Sequence, residues 1–561
     1  MKSVKGILPP VFFVIAVPFL RAVPQEEPAP DQAGPQVPKI DRPESWADRM
    51  RRERPVRELS VKDAIRLALL NNLEIAIEDY NEDLNRQQIF GASGFYDPRL
   101  QFEVGWAATE NPARSILDAG QGIPVNTTDR VYFDTSLIQN LPNGSSLTFS
   151  FNNNRFSTNS TFSFMNPSFG SNFAVGLRQP LWRGFRKTQT RRQLKLFNLE
   201  IEISDSQFQQ KVSEIVQQVQ NQYWELVFAI ESYEAIRKSM ELAIIQHENN
   251  QKRVQIGVMA PIEITASRAE VATREQEMIQ SEVQIITSQN GLKRHLAPDP
   301  RASLWNLTLI PTQLPRVQDL TITLDEAIAR AMEKRPELDQ NRLLREQVEV
   351  DREYYRQDGR PTVDLVASLT NTGRAGEILA SQFVDTDGDG VPDTRMQDVP
   401  QLSNPFFGSF GNSWGQVFGF NYINYTLGVS VEIPLRNRAN EAERASLLIR
   451  ERRLASQLKN QQQMIIVEVR NAYESIATQR KRLEAARVAR ELSEAQLEGE
   501  NKRFQAGLST NFEVLRYQRD LSQSQVQELR ARVDYQQAVT DLEKAMYTIV
   551  DSNDIVLARR D

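Results

Sequence analysis

Two stretches of this chain are written twice, and few architectures tolerate that at such a distance. LSVKDAIRLALLNN from Leu59 is answered by ITLDEAIARAMEKR from Ile322. The register then holds: Ala64 matches Ala327 and Pro98 matches Pro361, both pairs 263 positions apart (327 − 64; 361 − 98). A second correspondence sets RVQIGVMAPIEI from Arg253 against RFQAGLSTNFEV from Arg503, with Gly257 and Gly507 250 apart (507 − 257). Units of that length are a duplicated domain, since solenoid repeats run to only about 20–50 residues. The chain of 561 residues is therefore expected to form one pseudo-symmetric body.

Within each unit the long proline-free spans mark helices. No proline falls between Leu181 and Ala260, and none after Pro434. Residues 187–254 as one helix would run roughly 100 Å at 1.5 Å per residue. Val212, Val219, Leu226, Tyr233 and Met240 recur every seven positions, with Val216, Tyr223 and Ile230 interleaved. Ile466, Val469, Tyr473, Ile476 and Leu483 repeat the pattern in the second unit. Such a narrow stripe is a coiled-coil seam rather than the wide face of a globular helix. Each long helix then meets a glycine-containing turn and a second helix begins. Pro261 suits the first turn of one, and Thr510 or Asn511 can cap the other. Each unit should therefore hold a very long helical hairpin with a tight tip.

Between the helices the pattern changes to period two. Leu100, Phe102, Val104 and Trp106 alternate with Gln101 and Glu103; Leu147, Phe149 and Phe151 with Ser146, Thr148 and Ser150; Leu427, Val429, Val431 and Ile433 with Ser430 and Glu432. Residues 131–139, 172–179 and 362–370 behave alike. An aromatic and aliphatic face opposite a polar one fits a membrane β-barrel strand, and it also fits a soluble sandwich. The sequence supplies about four to six strands, fewer than the roughly eight that the smallest membrane barrels need. If these strands meet lipid, several chains must share one barrel, because an unpaired edge cannot be solvated there.

Composition narrows the class. The formal charge is −6 and charged residues are interspersed, which gives no reason to expect a nucleic-acid partner. Mean hydropathy is −0.48, and past the N-terminus no run of about 18 apolar residues is found. There is no cysteine, which removes disulfides, thiolate metal sites and a cysteine nucleophile. The two histidines, His247 and His295, stand apart in polar helical runs and are expected at the surface. No phosphate-binding loop, dinucleotide fingerprint or Ser/His/Asp grouping occurs, so no catalytic residue and no organic cofactor is assigned, and the chain is not read as an enzyme. Lys2 and Lys5 followed by the apolar residues 7–20 read as a secretory signal over 1–23, with a Pro-rich flexible leader over 24–57.

At this point the residues resemble the TolC-like outer-membrane channel family. The opening Leu-Thr-Leu-x-x-Ala-Ile-x-x-Ala helix appears at Leu59 and Ile322. The strand-to-helix motif stands as Pro180-Leu181-Trp182-Arg183-Gly184 and, more loosely, Pro434-Leu435-Arg436-Asn437. The inter-repeat Ile-Pro-Thr-x-Leu-Pro runs from Ile310 to Pro315. The resemblance covers residues 58–550 and implies a fold that is mainly α with membrane β. Long coiled-coil hairpins and β-hairpins are duplicated, and three chains form an α-barrel tunnel joined to one shared outer-membrane β-barrel of 12 strands. The first repeat would occupy 58–297, with strands over 98–180 and a hairpin over 187–297. A linker over 298–320 would lead to the second repeat over 321–550, with strands over 361–434, a hairpin over 436–550 and a tail over 551–561. The first unit departs from the pattern in reading as four strands, with Leu141 to Gly144 as an extra turn.

The resemblance also implies a function: a passive exit duct for small toxic molecules or proteins, in a tripartite efflux pump or type I secretion system. Its partners would be two further copies, outer-membrane lipid, a periplasmic adaptor (membrane fusion) protein and an inner-membrane pump or ABC exporter. The tips Gly257, Val258, Met259 and Ala260, and Gly507, Leu508, Ser509 and Thr510, would dock the adaptor. Glu263 and Glu513 would line the periplasmic aperture, with Arg516 where some relatives carry a second acid; helix-start acids that favour the macrodipole are the plainer reading. The loop from Asp385 to Asp393 offers Asp385, Asp387, Asp389 and Asp393 as a candidate calcium site. Met396 stands where the bidentate glutamate of such loops belongs, and a solvated acidic loop is the alternative. A secreted periplasmic coiled-coil scaffold or adhesin without channel activity is the competing reading of the whole chain.

Overall fold

A computed structural model describes residues 42–113, 125–160, 163–315, 317, 321–378, 381–384, 394–397 and 405–555. In chain order the structure opens with α1 (Trp46–Glu53), β1 (Val56–Leu59), α2 (Val61–Asn71) and α3 (Leu73–Ser93). Then come β2 (Arg99–Pro112), β3 (Val125–Asn140), β4 (Ser146–Thr158), β5 (Met165–Pro180), α4 (Gln189–Gln255), α5 (Ile262–Leu296) and β6 (Thr308–Pro311). The second repeat contains α6 (Leu324–Lys334), α7 (Pro336–Asp358), β7 (Thr362–Ile378), the short hairpin β8 (Ser381–Val384) and β9 (Thr394–Gln397), and α8 (Phe410–Phe418). It closes with β10 (Ile423–Glu432), α9 (Arg438–Gln505), α10 (Asn511–Ala545) and α11 (Ile549–Ser552).

The repeated opening motif is a helix start. Ser60 accepts a hydrogen bond from the Asp63 amide, and Thr323 forms a reciprocal capping box with Glu326. Ala64 and Ala327, the matched alanines, are fully buried, so these small residues let α2 and α6 lie close against their neighbours. The helix then breaks at Asn72, whose side chain caps α3, and at Arg335, where Pro336 opens α7.

The long helices are as long as the proline-free spans: α4 has 67 residues and α9 has 68. All eight predicted seam residues of α4, from Val212 to Met240, are buried. Of the predicted seam of α9, Val469, Ile476 and Leu483 are buried, while Ile466 and Tyr473 are only half-buried and Ile465 is buried in their stead. Helix α4 packs on α3 and α5 of its own repeat and on α7 and α10 of the other; α9 packs on α6, α7 and α10. The helical layer thus runs from α3 and α5, through α4, through α7 and α10, to α9. Among the described residues no helix is long and apolar enough to cross a membrane.

One segment expected to be flexible is ordered, and the inter-repeat linker carries a strand. Residues 44–57, assigned above to the flexible leader, hold α1 and β1, because Trp46 and Met50 bury one side of an amphipathic turn. The linker over 298–320 contains β6, which pairs in parallel with β1 from Val56↔Thr308 to Leu59↔Pro311. Tyr223 of the α4 seam locks that junction: its hydroxyl donates to the Leu59 carbonyl (3.1 Å) and accepts from the Gln313 amide (3.1 Å). Helix α11 closes the second repeat by burying Ile549 and Val550 and runs on two residues into the tail.

The main sheet has six strands in the order β10-β7-β5-β4-β3-β2, every neighbour antiparallel. Its β3–β4 hairpin is inserted between β2 and β5 as full-length strands, so the extra hairpin widens the sheet. Four strands per chain, the number a 12-stranded trimeric barrel requires, is exceeded by two.

Candidate functional site

The ladder register assigns every strand residue to one of two faces. Phe133 stands opposite Val104 and Asn153, Phe151 opposite Phe173, and Leu369 opposite Tyr425. One face therefore collects Phe102 and Trp106, Leu137, Phe149, Val175, Leu365 and Leu427. The other collects Gln101 and Glu103, Asp134, Thr148, Asn172, Thr370 and Thr426. The alternation read in the sequence thus gathers on one mainly apolar face across six strands, interrupted by Thr135, Asn153, Arg155, Ser171, Gln179 and Asn371. It is exposed at both margins: Trp106 of β2 is 70 % accessible and Tyr425 of β10 is 84 % accessible.

The helical layer is open at the same margins. On the flank that leads into β2, Ile77, Tyr80 and Phe90 of α3 and Ile279, Val283 and Ile286 of α5 are exposed. On the flank that follows β10, Ile449, Met464, Val467, Val488 and Leu492 of α9 are exposed. Sheet and helices thus end together, apolar and unpaired, at α3–β2 on one side and β10–α9 on the other.

The hairpin tips repeat each other bond for bond. At the end of α4 the Val258 amide donates to the Arg253 carbonyl (3.0 Å) and the Gly257 amide to Val254 (3.0 Å); after α9 Leu508 donates to Arg503 (2.9 Å) and Gly507 to Phe504 (3.1 Å). Gly257 and Gly507 have φ of +76° and +73°, the left-handed residue that such a helix stop requires. Thr510 caps α10 by accepting from the Glu513 amide, whereas Pro261 stands one residue before α5. Val258 and Leu508 project into solvent, but Met259 packs against the Leu497, Phe504 and Val514 cluster of the other hairpin. Arg253 lies over the Phe504 ring at 4.4 Å. The two tips therefore form one surface.

Of the candidate aperture residues, Glu513 and Arg516 are in contact at 2.8 Å, and Arg516 also lies over Tyr517 at 4.8 Å. Glu263 instead accepts from Asn511 Nδ2 (3.0 Å), and Asn511 Oδ1 accepts from Gln246 (2.9 Å). Within one chain each acid thus has its own partner. Behind them lies a buried polar layer that the sequence reading missed. His247 is buried rather than on the surface, with Nδ1 2.8 Å from Ser267 Oγ and Nε2 2.9 Å from Gln251. Burial lowers its pKa, and Arg268 adds to the shift. His295 is half-buried, and burial lowers its pKa too. His247 falls seven residues after the seam residue Met240 but is itself polar, so a search for apolar periodicity passes over it. Asp385, Asp387, Asp389 and Asp393, the candidate calcium ligands, lie outside the described residues.

Three comparisons bear on this geometry. The sequence model of the outer membrane efflux protein family matches residues 327–546. No curated protein matches the chain. Among solved structures, the Campylobacter jejuni CmeC outer membrane channel is similar at TM-score 0.59 and 12% identity, over 89% of this chain and 90% of that one. By its fold the chain is TolC-like. The outer membrane protein VceC of Vibrio cholerae resembles this TolC-like chain at TM-score 0.56 and 14% identity, over 87% and 95% of the two chains. The open-state MtrE outer membrane channel of Neisseria gonorrhoeae does so at 0.55 and 14%, over 87% and 88%. The matched family is one of channel proteins, not enzymes.

Proposed function

We propose that three copies of this TolC-like chain assemble into an outer-membrane channel, the passive exit duct of a tripartite efflux pump or type I secretion system. The carrying observation is the pair of matched open flanks. An apolar strand edge in lipid leaves amides and carbonyls without partners, and pairing β10 of one copy with β2 of the next removes both edges at once. The direction agrees, since six alternating strands make β2 and β10 antiparallel. The same step buries the exposed apolar residues of α9 against those of α3 and α5. Three copies of a six-stranded sheet make an 18-stranded barrel, in the range that leaves an aqueous lumen.

The tunnel below would stand in the periplasm, about 100 Å long from the length of α4 and α9. Its far end would present the paired tips around Gly257 and Gly507 to a periplasmic adaptor serving an inner-membrane pump or ABC exporter. Glu263 and Glu513 from three chains would place acids near the axis, where such rings favour cations. Small toxic molecules or proteins are the cargo classes that suit a duct without a nucleotide site.

The test uses the absence of native cysteine. One cysteine on β2 and one on β10, scanned in register, should cross-link into a ladder ending at a trimer. The protein should fractionate with the outer membrane and run as a high-mass band when unboiled. A soluble monomer without cross-links would leave the coiled-coil scaffold.

A further inference from the structure

Helix α8 lies on the apolar face of the sheet. Its backbone rests directly on Gly373 of β7, where a Cβ would stand 2.0 Å from the Ser413 carbonyl oxygen. Its aromatic stripe Phe410, Trp414 and Phe418 meets the strands ring to ring: Phe410 against Phe169 (4.9 Å) and Phe133 (5.2 Å), and Phe418 against Phe151 (5.7 Å). The Trp414 indole donates to Asn153 Oδ1 (2.7 Å), and Asn371 Nδ2 donates to the Val417 carbonyl. Gln416 closes the edge of β7 above the shorter β10, accepting from the Arg374 amide and donating to its carbonyl, both at 3.0 Å.

What lies beneath the helix differs from what lies beside it. On the uncovered strands the apolar face is apolar from Leu100 to Ala108 on β2, with Glu110 beyond, and from Ile423 to Val431 on β10. Between the rings that α8 meets, the same face turns polar or bare, with Asn153, Ser171 and Gly373 directly opposite one another and Asn371 two residues along β7. Asn153, Ser171 and Asn371 are buried. A strand residue meeting hydrocarbon has no reason to be Asn or Ser; one that seats a helix has. The outer side of the roof restores what the strands give up. Residues 405–422 carry seven aromatic rings and no charge, and Phe418 is 62 % accessible.

We infer that α8 is part of the lipid-facing surface: a helix lying flat on the outside of the barrel, its exposed side in contact with acyl chains of the outer leaflet. The leaflet follows from position. Strands β7 and β10 run into helices α7 and α9 at Thr362 and Glu432, and α8 sits near their opposite ends. Aromatic residues concentrate at that depth in membrane barrels, where apolar rings and a polar edge both find partners. This inference rests on the channel reading, since it needs the sheet to be in a membrane.

Site-directed spin labelling of the full-length protein in phospholipid vesicles separates the two. Gly411 and Gly415 have nothing within 4 Å of an added Cβ, so Gly411→Cys and Gly415→Cys can each carry a label without displacing the helix. Phe149→Cys and Thr148→Cys report on the apolar and polar faces of the strand. Both helix labels should be accessible to oxygen and shielded from a water-soluble nickel chelate, as at Phe149→Cys and opposite to Thr148→Cys. Nickel access at 411 and 415 with oxygen access at 149 would overturn the inference alone; shielding of 411 and 415 from both reagents would do the same, by burying α8 in a protein interface. Nickel access at 149 as well would overturn the channel reading, and the inference with it. Gly373→Val should unseat the helix and raise the mobility of the label at 411 in a trimer that still forms; an unchanged label would show that α8 is not seated there.

Discussion

Strand β10 gives the sharpest test of the membrane assignment. Its ten residues rise about 34 Å along the strand, or roughly 26 Å along the normal at the usual tilt near 40°, close to the ~25 Å apolar band of outer-membrane barrels. Leu427 is the middle one of five apolar-face residues from Ile423 to Val431, opposite Ala367, and is 75 % accessible in the single chain. It therefore marks the midplane. Leu427→Arg should cost about 2–4 kcal/mol per chain there. Three symmetry-related sites lie too far apart to couple, so the trimer should lose roughly 6–12 kcal/mol. Thr426→Arg, one residue away on the polar face, should cost a small fraction of that. The measurements are urea unfolding in vesicles and the temperature at which the unboiled trimer band disappears. Equal losses at both positions, or tolerance at Leu427, would refute the assignment of faces to lipid and lumen.

The remaining expectations concern the helical part and the acidic loop. Gly507→Trp puts a β-carbon on a residue with φ of +73° at a cost of about 1–2 kcal/mol; trimers should persist while transport by the full pump is lost, and normal transport would remove the tip from the docking surface. Arg516→Ala removes the partner of Glu513 and should raise single-channel conductance, while Glu263→Ala with Glu513→Ala should lower cation preference in planar bilayers. Burial opposes the charge on Glu468, but hydrogen bonds from Arg335 (2.8 Å) and Lys544 (2.6 Å) outweigh it and hold the carboxyl below its ordinary range. Because the folded pKa is depressed, this stability is present above the unfolded carboxylate pKa and is lost as pH falls through the folded value. Arg335→Met should cost about 1–2 kcal/mol at pH 7, less than a fully buried pair because Glu468 is partly solvated and keeps Lys544, and the difference should shrink in acid denaturation below about pH 4. The loop bearing Asp385, Asp387, Asp389 and Asp393 should bind calcium at most weakly without a bidentate ligand, and calorimetry on Asp387→Ala with Asp389→Ala should abolish any saturable signal.

The legible features were those dictated by local chemistry. The cap candidate Thr510 announces a helix start, and Gly257 and Gly507 announce stops, because an orphan amide or a left-handed residue admits few side chains. Strand alternation was legible for the same reason: period two has one solution. Features that depend on distant partners were not. Helix α8 lies in a run of Phe, Gly and Asn whose composition favours neither helix nor strand, and only its seat on Gly373 and Asn371 defines it. The β1–β6 pair joins two four-residue strands across some 250 positions, from Val56 to Thr308, and nothing within either predicts the other. His247 looks like any polar helix residue until α5 is laid across it.

The imperfect seam of α9 is more informative than the perfect one of α4. Both sequences carry the heptad pattern, yet the single chain buries every seam residue of α4 and leaves Ile466 and Tyr473 of α9 half-buried. Helix α4 is flanked on both sides within the chain, by α3 and α5 and by α7 and α10, whereas α9 has neighbours on one side only. A periodic apolar position encodes burial, and where the chain itself does not supply it, the sequence specifies a contact with another molecule. The flank beyond α9 carries Met464, Val467 and Val488 exposed, and the flank that could cover it, Ile279, Val283 and Tyr80, is exposed on the same chain. In the proposed trimer, the mismatch between periodicity and burial in the second repeat would be the trace, within one chain, of the neighbouring copy.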